Sequence, residues 1–136
     1  MNRTEEILCQ IVHEQVIVAM RDDGIVHVTF LPNTEITVAF QEILADLYNQ
    51  ITLGKKACYI FEGGEFVSVT KEARENAIKL ENNSGKIASA VVFNNLAQRI
   101  LADFYYTINK PQLPYKVFAS FEEGIIWLNS IKESEI

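Results

Sequence analysis

The side chains with the most chemical capacity in this 136-residue chain are few: His13 and His27, Cys9 and Cys58, and the hydroxyl-bearing stretch Ser68-Val69-Thr70-Lys71. Zinc ligands recur at tight spacings such as HxH or HExxH, and the two histidines form neither, so no metal is expected. Ser68 and Lys71 fit SxxK, in which an amine one helical turn away eases deprotonation of the serine. The SDN and KTG elements that complete that machinery are missing. No GxSxG elbow, GxxxxGK[ST] loop or GxGxxG turn occurs, and Gly63-Gly64 alone reads as a turn. The expectation is a protein that is not an enzyme and takes no cofactor. Cys9 and Cys58 lack a CxxC spacing, and the N-terminus is acidic where a secretory signal would be basic. Two reduced thiols and a cytoplasmic location are therefore expected.

Periodicity indicates the elements that must position these residues. Apolar alternation on both sides of Asp22-Asp23-Gly24 predicts a β-hairpin from Gln15 to Phe30, with Val26, Val28 and Phe30 on one face and Ile25, His27 and Thr29 on the other. Before it, residues 1–14 form an N-terminal arm that either alternates as a strand or is capped by Thr4 as a short helix. Phe40, Ile43, Leu44, Leu47, Tyr48 and Ile51 follow helical spacing up to a C-cap at Gly54. The remainder reads as strand 57–61, a helix capped by Thr70 with a stripe of Ala73, Ala77 and Leu80, and strand 87–93. A helix capped by Asn94 or Asn95, strand 114–118 and a helix opened by the Ser120…Glu123 capping box complete the chain. This strand and helix alternation calls for an α/β fold with mainly parallel strands, residues 15–136 forming one domain.

In such sheets ligands collect beyond the carboxyl ends of the strands, where helix N-termini present unpaired N–H groups. Glu62, Ser68, Thr70, Asn94, Asn95 and Ser120 fall at that edge, each also explicable as a cap or turn residue. Arg99 either faces Glu62 across the edge or pairs with Asp103 on its own helix.

The order of elements carries Asp23-Gly24-Ile25-Val26-His27-Val28, Thr70-Lys71-Glu72-Ala73-Arg74, Ala97-Gln98-Arg99-Ile100-Leu101-Ala102, Asn109-Lys110-Pro111 and Lys116-Val117-Phe118…Ile126-Trp127-Leu128. In that order the chain resembles the STAS/SpoIIAA-like proteins, and more narrowly their small single-domain bacterial branch. The resemblance implies a β-α superhelix, an N-terminal β-hairpin followed by alternating helices and strands, acting as a protein-interaction switch. In the anti-sigma-factor antagonists of that family a serine after the third strand is phosphorylated. Here Glu62 takes the place of the preceding aspartate, Gly63 stands where the acceptor would be, and Ser68 and Thr70 come several residues later, which puts phosphoswitching in doubt. The parent fold also resembles apolar-ligand carriers of the CRAL-TRIO type, leaving a small apolar or anionic ligand as an alternative.

Charge and aromatic content bear on partners. Residues 1–70 hold four basic and ten acidic side chains and residues 71–136 eight of each, so the net charge of −6 lies in the N-terminal half. A nucleic-acid binder would show the opposite sign, and a partner met through that half would be basic. No apolar run reaches the ~18–20 residues of a membrane span. Phe104, Tyr105 and Tyr106 are consecutive on a helix and cannot share one core-facing stripe. At least one ring is expected to be exposed or buried against another chain, with Tyr105, Tyr106 and Tyr115 as the candidate interface and partial burial under the N-terminal arm as the alternative. A protein partner, including a second copy in a homodimer, is the leading expectation.

Overall fold

Apolar alternation from Ile7 to Phe30 builds three antiparallel strands, β1 (Ile7–Val12), β2 (Val16–Arg21) and β3 (Val26–Phe30), in a computed structural model that describes residues 7–80, 85–93 and 112–134. The arm thus carries a strand: β1 pairs with β2, Ile11 beside Val18 and Val12 beside Ile17. The chain continues through β4 (Glu35–Ile36), α1 (Val38–Thr52), β5 (Ala57–Gly63), β6 (Ser68–Val69), α2 (Lys71–Leu80), β7 (Lys86–Val92), β8 (Tyr115–Phe118) and α3 (Phe121–Ser134). The helix expected after strand 87–93 lies outside the described residues.

One six-stranded sheet runs in the order β1-β2-β3-β5-β7-β8, and β4 and β6 form a separate two-stranded parallel pair. From β3 onward the neighbours in the main sheet are parallel, as the helical crossovers require. Among the described residues two apolar cores form. The first gathers Val16, Val18, Val26, Val28, Tyr59 and their neighbours with Phe40, Leu44, Leu47 and Ile51 of α1. The second gathers Ile25, Cys58, Ile60, Ala88, Ala90 and Val92 beneath Leu128 of α3.

Capping chemistry sets the helix ends. Thr37 Oγ1 accepts from Phe40 N–H at 3.1 Å to open α1, and Thr70 Oγ1 does the same for Ala73 N–H at 3.1 Å in α2. Ser120 Oγ accepts from Glu123 N–H at 3.1 Å and opens α3. The left-handed turn ending α1 begins at Leu53, one residue before the expected glycine. The apolar stripe of α2 is narrower than its spacing suggests, since Ala73 is fully buried while Leu80 is 38% exposed.

Gly124 lies inside α3, where helix propensity disfavours it by about 1 kcal/mol relative to Ala. A Cβ there would stand 2.9 Å from Ile60 Cδ1 and 3.5 Å from Ala90 Cβ. The missing side chain is what lets α3 approach the sheet.

Candidate functional site

Thr29 of β3 stands beside Glu62 of β5, and His27 beside Ile60. Because side chains alternate along a strand, His27, Thr29 and Glu62 share the face that also carries Ile60 and α3. His27 Nε2 is 2.6 Å from Glu62 Oε1, with both side chains partly exposed. Thr29 Oγ1 lies 3.4 Å from the same nitrogen. In a nucleophilic relay the hydroxyl and the carboxylate engage opposite ring nitrogens, so this group lacks the geometry of a hydrolase triad.

Phe121 of α3 covers the imidazole, its ring centroid 4.8 Å away. The Arg21 guanidinium lies 5.4 Å from that same phenyl ring. Arg21 also pairs with Asp23, Nη2 to Oδ2 at 2.9 Å and Nε to Oδ1 at 3.1 Å, and Ile25 N–H donates to Asp23 Oδ1 at 3.1 Å. Burial works to raise the Asp23 carboxyl, but Arg21 and the Ile25 amide outweigh it and hold the group below its ordinary value. Lys132 Nζ donates to the Asp23 carbonyl, so the β2–β3 turn is tied to the end of α3.

On the opposite face Lys86 Nζ lies 5.2 to 5.4 Å from the ring centroids of Tyr48, Tyr59 and Phe61. Burial pushes the Tyr59 phenol up to about 12 and raises Tyr48 as well, so neither supplies a base near neutral pH.

The carboxyl-edge loops after β3 and β5 are joined along their length. Gly64 N–H donates to Phe30 O at 2.9 Å, Asn33 to Glu65 O at 2.8 Å, Ser68 to Thr34 O at 3.0 Å and Thr70 to Ile36 O at 3.1 Å. A Cβ on Gly64 would meet Pro32 at 2.9 Å, so the two loops touch at backbone distance. At the tip of this paired structure Phe66 has φ 62°, a left-handed conformation uncommon for a bulky residue, and its side chain is 74% exposed.

The expected site residues divide accordingly. Glu62 meets His27. Ser68 is exposed in β6, and Thr70 caps α2. Tyr115 is half-buried in β8 beside Ser89. Asn94, Asn95, Arg99, Tyr105 and Tyr106 lie outside the described residues. Among the described residues no group of three His, Cys, Asp or Glu side chains is placed to hold a metal ion, and no helix is long and apolar enough to cross a membrane. Alternation along β3 puts His27 on the polar sheet face but gives no sign of its partner, because the β3–β5 register has no local signal. Phe66 has no sequence signal, because no neighbouring residue type announces a left-handed aromatic.

A family model described as a domain of unknown function, DUF7793, matches residues 18–132. No curated protein is similar in sequence. Among solved structures, an uncharacterised protein of the DUF3478 family with a SpoIIAA-like fold, from Shewanella loihica PV-4, matches with a TM-score of 0.57 and 13% identity. The match covers 94% of this chain and 98% of that one. At this identity the likeness is one of fold, and the architecture is SpoIIAA-like, as the order of elements led us to expect.

Proposed function

The chain belongs to the DUF7793 family, and we propose that it acts as a non-catalytic protein-interaction module whose contact surface is the carboxyl-edge turn bearing Phe66. The observation that carries this reading is the conformation of Phe66, φ 62° with 74% of the side chain in solvent. A bulky residue in that region costs about 1 kcal/mol or more, and an exposed ring recovers little of this within its own chain. Aromatic rings on rigid supports are favoured anchors in partner pockets, and the paired loops supply the support. Ser68 and Val69 beside it, exposed in β6, extend the contact, with Glu65 adding the acidic character a basic partner would meet. The reading places the protein in the cytoplasm, where Cys9 and Cys58 stay reduced.

Quantitative mass spectrometry of proteins retained from source-cell extract by the immobilised chain, compared with a Phe66→Asn variant, tests it. Asparagine keeps the left-handed turn and removes the ring. A protein retained by the wild type and depleted at least about tenfold by the substitution, a change corresponding to ~1.4 kcal/mol, supports the anchor. Identical retention by both baits excludes it.

A further inference from the structure

Beyond that turn, a second contact surface lies at the sheet edge formed by β1. Its strand sequence, Ile7-Leu8-Cys9-Gln10-Ile11-Val12, has no charged residue in a chain of net charge −6, and Leu8 and Val12 are 64% and 65% exposed. His13 N–H donates to Val16 O at 2.8 Å, which fixes the hydrogen-bonding phase of the β1–β2 ladder. In antiparallel pairing, hydrogen-bonded and non-hydrogen-bonded positions alternate. Ile11, opposite Val18, and Cys9, opposite Met20, therefore turn their backbone groups toward β2, whereas Gln10 and Val12 direct theirs away from the sheet. Long uncharged edges invite another strand, and native proteins commonly blunt them with charge, proline or a bulge. This edge has only a bulge, between Ile7 and Cys9, which leaves the segment from Cys9 to His13 regular.

We propose that two copies of this chain join β1 to β1 antiparallel about a two-fold axis at Ile11, forming a continuous sheet through both subunits. The spacing of the outward groups suits a second copy and sets its register. A second copy turned about Ile11 sets Gln10 of each chain against Val12 of the other, so four backbone hydrogen bonds close using regular residues alone. Centring the pair on Gln10 or Cys9 would instead require the bulged Leu8 as a partner. In the Ile11 register the two Ile11 side chains face each other, Cys9 faces His13 of the other copy, and no like charges are opposed within the paired segment. This dimer surface is separate from the Phe66 turn and stands or falls independently of it.

Sedimentation velocity of the full chain between about 10 μM and 1 mM tests the association, since that range brackets weak homodimers. The expected result is a species of twice the 15.4 kDa chain mass, and a monomer throughout overturns the proposal. Val12→Pro removes an N–H that points away from β2, a position where edge strands tolerate proline. It should leave the far-ultraviolet circular dichroism unchanged and weaken the dimer at least about tenfold, and an unweakened dimer of a folded variant overturns the edge pairing. A Cys9→Ser, Ile11→Cys double variant tests the register without relying on proline. Mild oxidation should give a disulfide dimer, whereas the wild type should give none, its two Cys9 lying about 14 Å apart in this register. Ready cross-linking through wild-type Cys9 would reject the Ile11-centred arrangement.

Discussion

His27 and Glu62, 35 positions apart in the chain, meet across β3 and β5 with Nε2 and Oε1 separated by 2.6 Å. The nitrogen facing the carboxylate must carry the proton, which fixes the tautomer of a neutral imidazole. Phe121 closes over the ring, so one side chain joins two parallel strands and α3. The pair fastens the sheet to its covering helix.

Replacing Glu62 by Gln retains an oxygen acceptor and loses charge assistance. With both side chains partly exposed, the expected destabilisation is about 0.5–1 kcal/mol. His27→Ala removes the partner of Glu62 and the ring beneath Phe121 together, for about 1–2 kcal/mol. Urea denaturation of the two single variants and the double variant checks both values. The double variant should cost less than the sum, because the first substitution already breaks the shared contact.

Asp23 gives a pH dependence of known sign. Its carboxyl titrates below the ordinary 3.8 in the folded chain, so folding favours the charged form. The stabilisation is complete above the ordinary value and is lost as the pH falls through the lowered folded value. Asp23→Asn should therefore destabilise the protein at pH 7, with the deficit shrinking as both proteins are acidified below about pH 4. Urea midpoints measured from pH 7 downward report this, and a constant difference would remove Asp23 from the acid limb.

The parts of the fold that were legible in the sequence are those governed by local periodicity. Val26, Val28 and Phe30 announce a buried strand face by alternation, and Thr70 and Ser120 announce helix starts because capping is decided within a few residues. The site was less legible, since the β3–β5 register that pairs His27 with Glu62 is set by packing across the sheet. The arm illustrates the same limit. Ile7, Cys9 and Ile11 alternate, but only the neighbouring β2 establishes a strand over a short helix.

Gly124 separates propensity from packing. On helix propensity alone Gly124→Ala should gain about 1 kcal/mol. Its Cβ would press on Ile60 Cδ1 at 2.9 Å, inside a core where Ile60 is fully buried, and overpacking there costs about 1–3 kcal/mol. The single variant should be neutral to destabilised by up to about 2 kcal/mol. Ile60→Val removes the obstructing methyl and costs about 0.5–1.5 kcal/mol alone. Combined with Gly124→Ala it should recover part of both losses, and additive denaturation energies would show that the contact is relieved by other means.

Phe66 makes a prediction in which stability and binding move in opposite directions. Most substitutions of an aromatic residue destabilise because buried area is lost, but this ring is 74% exposed and has little to lose. Its backbone sits at φ 62°, where Asn is far better tolerated than a bulky side chain. Gly would relieve the same strain but increase the entropy of the unfolded chain, offsetting part of the gain. Phe66→Asn should therefore raise stability by about 0.5–1 kcal/mol, with Phe66→Gly gaining less. For a chain of this size that is a rise of roughly 2–5 °C in melting temperature, measurable by calorimetry. A fall in both variants would mean that the ring packs in solution against its own chain, and the turn would then lose its standing as an anchor.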